Sequence, residues 1–266
     1  MWIQLSRVRA PSIAHTMSVL QAIILGLVQG LTEFFPVSSS AHLQLAKWLL
    51  GVPDGEHLLT FDLLCHSGTL LALLIYLRRD VWEVLKSVKM MCLYVLALIP
   101  LVPAYFLLKP LRIMASQPAY LGYALMATAG LLFAASGKKR VNPTKKWQHV
   151  LCIGVMQTMA LIPGISRSGS TITAARFCGW EWREAARFSF LLAIPTILGG
   201  ELLEMMKGHP DGGVAPACYA GGFFASFALG LVAVRFIFWV YEMEKVKPFA
   251  WYCLGVGIFA WAVYHG

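Results

Sequence analysis

The sequence has few charged residues, and this shortage argues against the ordinary soluble classes of protein. Only 13% of its 266 residues are Asp, Glu, Lys or Arg, whereas 58% are hydrophobic and the mean hydropathy is +0.67. Soluble domains carry about 25% charged residues. No polar stretch is long enough to form a separate soluble domain. The composition therefore predicts an all-α integral membrane protein with roughly six to eight membrane segments.

From the sequence we expect neither paired cysteines nor a cleavable leader. Its six cysteines are scattered singly and no CxxC motif occurs, which argues against a zinc site and a disulfide framework. Residues 1–16 carry two arginines but no apolar segment followed by a cleavage site. Because the membrane pattern begins near Met17, we expect residues 1–16 to form a loosely held N-terminal extension.

The basic residues that are present give a net charge of +9. They cluster in short loops between apolar runs, which is typical of membrane orientation signals and of contacts with anionic head groups. We therefore expect membrane lipids, and no nucleic acid, as partners.

Polar residues concentrate in one interrupted apolar helix. Residues 26–42, GLVQGLTEFFPVSSSAH, begin as a helix suited to a bilayer and break at Pro36 into three serines and His42. Glu33 lies one turn before the break and is the only carboxylate in the first 53 residues. Such groups are costly in hydrocarbon, so they are expected where unwound backbone lines a polar cavity.

A related segment returns later in the chain, at residues 154–171, GVMQTMALIPGISRSGST. Four positions recur at spacings of 128 or 127 residues: Gly26 as Gly154, Gln29 as Gln157, Pro36 as Pro163 and Ser39 as Ser166. The chain is therefore interpreted as a duplication that has lost one residue between the helix and its break.

Apolar segment lengths predict the same plan in each half. Residues 18–35 and 41–50 are predicted to form a re-entrant hairpin, because ten helical residues span only about 15 Å. The predicted segments are the first repeat 17–136, with hairpin 18–50 and spans 61–77, 90–108 and 118–136, and the second repeat 147–266, with hairpin 147–178 and spans 184–206, 214–240 and 248–264. Three crossings in each half turn the second half upside down, which predicts an inverted-topology repeat within a single membrane domain.

The distribution of Lys and Arg predicts the orientation. The loop at 78–89 carries four basic residues and the loop at 137–146 carries five, whereas the loop at 109–117 carries two. The positive-inside rule puts the first two loops in the cytoplasm. Both termini and the mouth of the first hairpin are then expected to face outward.

The second motif, PGISRSGST at 163–171, has the composition of an anion site. Its glycines let backbone N–H groups approach an anion, and the start of the following helix adds a positive end. Arg167 supplies a planar fork that matches phosphate oxygens. The alternative is that Ser166 or Ser168 only caps the helix.

The first motif supplies the titrating groups, Glu33 and His42. Ser39 and His42 are three residues apart, so on a helix they share a face and can form a hydrogen bond, as a nucleophile does with its base. The alternative is that the serines cap a short helix while His42 bonds a neighbouring carbonyl. Gln29 lies one turn before Glu33, within reach of the carboxylate or of a ligand.

Four further polar residues lie near ends of predicted spans. Asp62 and His66 head the first full span, and Glu201 and Glu204 lie near the end of another. Span ends often carry polar residues, so we expect Asp62 and His66 to belong to the membrane interface, with a supporting role at the site as the alternative. The two glutamates are expected to reach water.

The two motifs together resemble the signatures of the undecaprenyl-diphosphatase family, also called the bacitracin-resistance protein family, over nearly the whole chain from Met17. The resemblance implies a phosphatase of the bacterial inner membrane that hydrolyses undecaprenyl diphosphate to undecaprenyl phosphate and inorganic phosphate. This regenerates the lipid carrier for peptidoglycan and other envelope polymers and confers resistance to bacitracin. The resemblance also implies a divalent cation, Mg²⁺ or Ca²⁺. The orientation predicted from the basic loops puts the opening of the site on the outer, periplasmic face.

The motif residues are given roles from this resemblance and from their chemistry. The predicted catalytic residues are Glu33, Ser39, His42 and Arg167, with Glu33 also the predicted metal ligand. The predicted substrate-binding residues are Gln29, Ser38, Ser40, Gly164, Ser166, Ser168 and Thr171. Many family members carry Glu where this chain has Gln29, so a second carboxylate for the cation is missing. Diphosphate oxygens can take its place, since Mg²⁺ commonly binds one or two carboxylates plus substrate phosphates.

The sequence leaves several alternatives open. The nucleophile can be Ser39 with His42 as base, His42 itself, or a water molecule. A polyprenyl-phosphate transporter using the same anion site is the rival function, because broken helices in inverted repeats are common in transporters. A phosphatase for a shorter prenyl diphosphate is a third reading. The oligomeric state is open, with a homodimer as one option.

Overall fold

The computed structural model describes residues 17–52, 58–137, 146–207 and 214–265. Within these ranges the chain is all-helical. In chain order the helices are α1 (Val19–Thr32), α2 (Ser39–Leu49), α3 (Leu59–Tyr76), α4 (Arg78–Leu85), α5 (Val88–Leu98), α6 (Leu101–Leu107), α7 (Lys109–Ala115), α8 (Leu121–Ser136), α9 (Trp147–Gln157), α10 (Arg167–Phe177), α11 (Trp182–Met206), α12 (Pro216–Glu242) and α13 (Lys247–His265). The predicted extension at 1–16 and most of the basic loop at 137–146 lie outside the described residues.

Five helical stretches among the described residues are long and apolar enough to cross a membrane. They are Leu59–Tyr76, Val88–Leu107, Pro118–Ser136, Trp182–Met206 and Pro216–Glu242. The chain is therefore a multi-pass membrane protein. Five of the six predicted spans coincide with these stretches. The sixth, at 248–264, is helical within α13, but α13 is not among the five.

Two connections predicted to be loops contain short helices. The connection at 78–89 holds α4, and the one at 109–117 holds α7. The carboxylates of Asp80 and Glu83 on α4 pair with Arg187 of α11, the second at 3.1 Å. These ion pairs tie the first basic connection to the second half of the chain.

The first interrupted helix breaks where the sequence predicts, although α1 ends at Thr32, three residues earlier than expected. Residues 33–37 form turns, because Pro36 has no N–H to continue the helical hydrogen bonds. The helix α2 then starts at Ser39, and the Gln21 side chain of α1 donates a hydrogen bond of 3.0 Å to the Leu50 carbonyl after α2. The two helices therefore form a closed pair with the break at its tip.

Helix α1 is held against α12 by a close approach of two backbones. A Cβ added at Gly26 would lie 2.4 Å from the Gly222 carbonyl oxygen, and one at Gly30 would lie 2.6 Å from the Ser226 carbonyl oxygen. Small residues at such a crossing allow close packing within a membrane. The crossing fixes the end of α1, and with it Glu33.

The second interrupted helix brings its own break against the first. After α9 and a short 3₁₀ turn at Thr158–Leu161, Gly164 adopts φ of +91°, and α10 begins at Arg167. A Cβ at Gly164 would lie 2.7 Å from the Ala124 Cβ of α8, so both conformation and space require glycine here. The Gly164 N–H faces Ser40 Oγ at 3.4 Å. The two breaks therefore meet inside the protein.

Candidate active site

The two breaks are joined by an ion pair. Arg167, at the start of α10, donates from Nη2 to Glu33 Oε1 at 2.8 Å, although the residues are 134 positions apart. The Glu33 side chain is 6% exposed and that of Arg167 is 16% exposed. A buried ion pair of this kind contributes little net stability to the fold. Loss of one partner strongly destabilises the protein, because the other charge is then buried and unpaired. Its location at the meeting point of both motifs points to function.

The other oxygen of Glu33 binds two neutral side chains. Glu33 Oε2 accepts a hydrogen bond of 3.0 Å from Gln29 Nε2 and one of 2.7 Å from Ser39 Oγ. Gln29 is fully buried one turn before the carboxylate, as its spacing predicts. Four predicted site residues therefore form one connected network: Gln29, Glu33, Ser39 and Arg167.

His42 does not pair with Ser39, so that prediction is wrong. Its Nδ1 lies 2.8 Å from the Ser38 carbonyl oxygen, which can only accept, so Nδ1 carries the hydrogen. In the neutral ring Nε2 then accepts from the Tyr252 hydroxyl at 2.9 Å, and the two rings stack with centroids 5.5 Å apart. The helical spacing places Ser39 and His42 on one face, but Ser39 is the first residue of α2 and turns back to Glu33. Tyr252 lies on α13, outside both motifs, and no sequence signal marked it.

The predicted hydroxyls of the second motif build the turn that presents Arg167. Ser166 caps α10 by accepting from the Gly169 N–H at 3.1 Å. Ser168 Oγ donates to the Phe35 carbonyl at 3.1 Å, which links this turn to the first break. Thr171 Oγ1 donates to the Arg167 carbonyl at 2.9 Å. The capping alternative therefore describes Ser166, and substrate contacts of these residues stay a prediction.

Ser38 has a strained backbone at the tip of the first break. Its φ is +71°, which is unusual for a residue with a Cβ, and its Oγ lies 3.2 Å from Ser40 Oγ. Strain of this kind persists where the surroundings impose it, and it is frequent at active sites. Ser40 Oγ in turn faces the Gly164 N–H. The strained turn therefore lies where the two motifs touch.

Two buried polar atoms around Glu33 have no hydrogen-bond partner among the described residues: Arg167 Nη1 and Gln29 Oε1. A free N–H of a guanidinium suits an anionic oxygen, and a free amide oxygen suits a hard cation. Buried polar groups normally have partners, so both atoms are available to a ligand at this place.

No group of three or more His, Cys, Asp and Glu that could hold a metal ion occurs in the described part of the chain. The expected Mg²⁺ or Ca²⁺ has instead a small set of oxygen donors within one network, namely Glu33, Ser39 Oγ and the unpartnered Gln29 Oε1. Oxygen donors are what these cations prefer, and a set this small fits a cation that shares its coordination with substrate phosphates.

His66 belongs to the site, contrary to the expectation that it lies at the membrane interface. Its Nε2 is 3.7 Å from Glu33 Oε2, and its Nδ1 is 2.8 Å from the Asp62 carbonyl. Asp62 pairs with the buried Lys47 of α2 at 2.6 Å. The next residue, Ser67, donates to Glu201 of α11 at 3.2 Å. The first turns of α3 therefore lie against the Glu33 carboxylate. In the sequence, only the spacing of Asp62 and His66 indicated this.

Comparison with known proteins places this geometry in a family. Residues 22–259 match the family model described as bacitracin resistance protein BacA. Three relatives are called undecaprenyl-diphosphatase. That of Protochlamydia amoebophila is 38% identical over 249 residues, covering 91% of this chain and 97% of the relative. That of Pelobacter propionicus is 37% identical over 264 residues, covering 91% and 95%. That of Geobacter metallireducens is 38% identical over 267 residues, covering 91% and 96%.

Proposed function

The chain belongs to the bacitracin resistance protein BacA family, and from this membership we propose that it hydrolyses undecaprenyl diphosphate to undecaprenyl phosphate and inorganic phosphate. The reaction returns the lipid carrier to peptidoglycan and envelope synthesis and gives resistance to bacitracin. One observation carries the proposal for the site. A single buried carboxylate, Glu33, bonds both a hydroxyl nucleophile, Ser39, and a guanidinium suited to phosphate, Arg167.

Arg167 binds the diphosphate in this proposal. Its Nη2 is held by Glu33, so its unpartnered Nη1 presents a fixed donor to a phosphate oxygen. A donor that is oriented in advance in a site of low dielectric stabilises charge developing in the transition state. The strained turn at Ser38 and the cap of α10 hold the two motifs in place around the Arg167 guanidinium.

Ser39 is the nucleophile. Its Oγ attacks the terminal phosphorus, the bond from that phosphorus to the bridging oxygen breaks, and undecaprenyl phosphate leaves. The Ser39 proton passes to Glu33 Oε2, which already accepts its hydrogen bond at 2.7 Å. Glu33 thus takes the role of base that was predicted for His42. His42 holds the Ser38 carbonyl at the start of α2, and direct attack by His42 is the alternative.

A divalent cation, Mg²⁺ or Ca²⁺, would complete the proposed site, and Glu33 and Gln29 Oε1 would hold it together with diphosphate oxygens. When bound, such a cation offsets negative charge on the transferring phosphoryl group. The family resemblance implies a carboxylate at the position of Gln29, so substrate oxygens would supply more of the coordination in this chain.

Trapping the phosphorylated enzyme tests the proposed route. Full-length protein in detergent is mixed with polyprenyl diphosphate labelled in its terminal phosphate and is quenched within one turnover. We expect acid-stable phosphate on Ser39. Acid-labile phosphate on His42, or turnover without any phosphorylated enzyme, would overturn Ser39 as the nucleophile. Phosphate release in micelles separates hydrolysis from the rival transport function, because transport leaves no product there.

The proposed topology of the chain is an inverted repeat of residues 17–136 and 147–266. Each repeat has a re-entrant hairpin followed by spans. It is supported by the common order of elements, an apolar helix, a break and a short return helix, in α1–α2 and α9–α10. With the basic loops at 78–89 and 137–146 in the cytoplasm, the mouth of the first hairpin faces outward. The site then opens to the periplasmic face of the bacterial inner membrane.

A further inference from the structure

We propose that Tyr252 is a positioning residue of the reaction: it acts through His42 to orient the Ser39 hydroxyl toward phosphorus. The inference deepens the proposed function and rests on it, because it takes Ser39 as the nucleophile. Tyr252 lies on α13, outside both motifs, and the route above gives it no part.

The Tyr252 side chain holds the His42 ring by two contacts at once. Its hydroxyl lies 2.9 Å from Nε2, and the two rings are stacked at an interplanar angle of 12° with their centroids 5.5 Å apart. The hydroxyl can donate to a neutral imidazole or accept from a charged one, so the contact does not depend on the protonation state of His42. The hydrogen bond fixes one edge of the imidazole and the stack fixes its plane.

The other edge of the His42 ring holds the tip of the first break. Its Nδ1 lies 2.8 Å from the Ser38 carbonyl oxygen, which also accepts from the His42 backbone N–H at 3.3 Å. Ser38 is the N-cap of α2 and has φ of +71°, a conformation that persists only where the surroundings impose it. The peptide that follows it sets the direction of the Ser39 side chain. Loss of the contact at the carbonyl would therefore let the Ser39 hydroxyl turn from Glu33 Oε2, to which it now donates at 2.7 Å.

Helix α13 lies against the first break along one of its faces. The Phe249 ring packs edge-on against the Phe35 ring with centroids 5.2 Å apart, and Cys253 Sγ donates to the Pro36 carbonyl at 3.6 Å. Residues three and four positions apart share one face of a helix, so Phe249, Tyr252 and Cys253 point the same way. Of the three contacts, that of Tyr252 is the one that reaches α2, which carries the nucleophile.

The exposure of Tyr252 separates positioning from simple packing. The residue is 48% exposed, so water can replace the protein partner of its hydroxyl at little cost to the fold. A reacting group that is displaced by a fraction of an ångström, in contrast, lowers the rate of its reaction strongly. Deleting the hydroxyl should therefore change the rate and leave stability nearly as it was.

The test compares two deletions of one hydroxyl. Wild type, Tyr252→Phe and the control Tyr123→Phe are mixed in detergent with polyprenyl diphosphate labelled in its terminal phosphate. The Tyr123 hydroxyl also makes a hydrogen bond of 2.9 Å, but its partner is the exposed Trp261. For Tyr252→Phe we expect Ser39 phosphorylation and kcat about 3–10-fold slower, with KM and melting temperature near the wild-type values. The control should match wild type in all four.

A double-mutant cycle shows whether Tyr252 acts through the imidazole. His42→Ala should slow kcat by up to about 100-fold. Adding Tyr252→Phe to it should slow kcat no further, because the ring on which the hydroxyl acts is gone. Additive losses would overturn the inference, and so would a folded His42→Ala without activity, because His42 would then have a chemical role. If His42→Ala does not fold, the Tyr252→Phe measurements decide alone.

Failure of this inference and failure of the proposed function give different results. If Ser39 phosphate forms equally fast in wild type and Tyr252→Phe, or if only KM or the melting temperature changes, Tyr252 is not a positioning residue and the Ser39 route stands. If no Ser39 phosphate forms in wild type, the Ser39 route itself fails, and this inference fails with it.

Discussion

Replacing Arg167 should affect stability and catalysis through different contacts, and the two effects can be measured separately. In Arg167→Ala the Glu33 carboxylate, 6% exposed, loses the one cationic partner that lies within 3 Å of it among the described residues. Loss of one member of a buried pair costs about 3–5 kcal/mol of unfolding free energy. Hydrolysis should also fall by a factor of about 100–1,000, as found when one oriented donor is removed from a transition state.

A double-mutant cycle separates the two contributions. Adding Glu33→Gln to Arg167→Ala removes the unpaired buried charge, so the melting temperature should recover while hydrolysis stays lost. Arg167→Lys should restore the charge pair and much of the stability, yet it should rescue hydrolysis poorly because an ammonium lacks the planar fork.

The assay is phosphate release by detergent-purified protein at saturating lipid, with each value corrected for the folded fraction from a thermal scan. Retention of a tenth or more of wild-type turnover by folded Arg167→Ala would refute the phosphate-binding role. Full rescue by lysine would show that only charge matters at this position.

Four further predictions concern the orientation, the N-terminal extension, the packing of α1 and the cation. With native cysteines replaced, Ser40→Cys should react with a membrane-impermeant thiol reagent on intact cells, and diphosphate should protect it. Labelling only in inverted vesicles would show that the site opens to the cytoplasm instead. A chain starting at Met17 should insert and hydrolyse normally, and loss of insertion would make residues 1–16 structural. Gly30→Ala should lower the free energy of unfolding by about 1–3 kcal/mol, because its Cβ would lie 2.6 Å from a backbone oxygen. The control Gly130→Ala has open space around it and should leave stability unchanged. Equal effects of the two substitutions would contradict the close helix crossing. EDTA should abolish phosphate release and Mg²⁺ or Ca²⁺ should restore it, and activity that survives EDTA would remove the cation from the proposal.

The sequence by itself determined the membrane class, the places where the helices break and the chemical composition of both tips. These properties are local. A run of apolar residues forms a helix suited to lipid, and a proline such as Pro36 ends its hydrogen-bond ladder wherever the chain goes next. The recurrence of the first motif in the second half likewise needs no coordinates, so Glu33 and Arg167 could be named before their contact was known.

The tertiary structure decided which of these residues act on one another. Helical spacing relates Ser39 to His42, but the left-handed conformation of Ser38 lies just before them, and the approach of α13 offers His42 a different partner. The pairing of Glu33 with Arg167 spans 134 positions, and the place of His66 depends on how α3 packs beside α1. Contacts between residues so far apart in sequence depend on helix crossings made by small residues, and no local pattern specifies them.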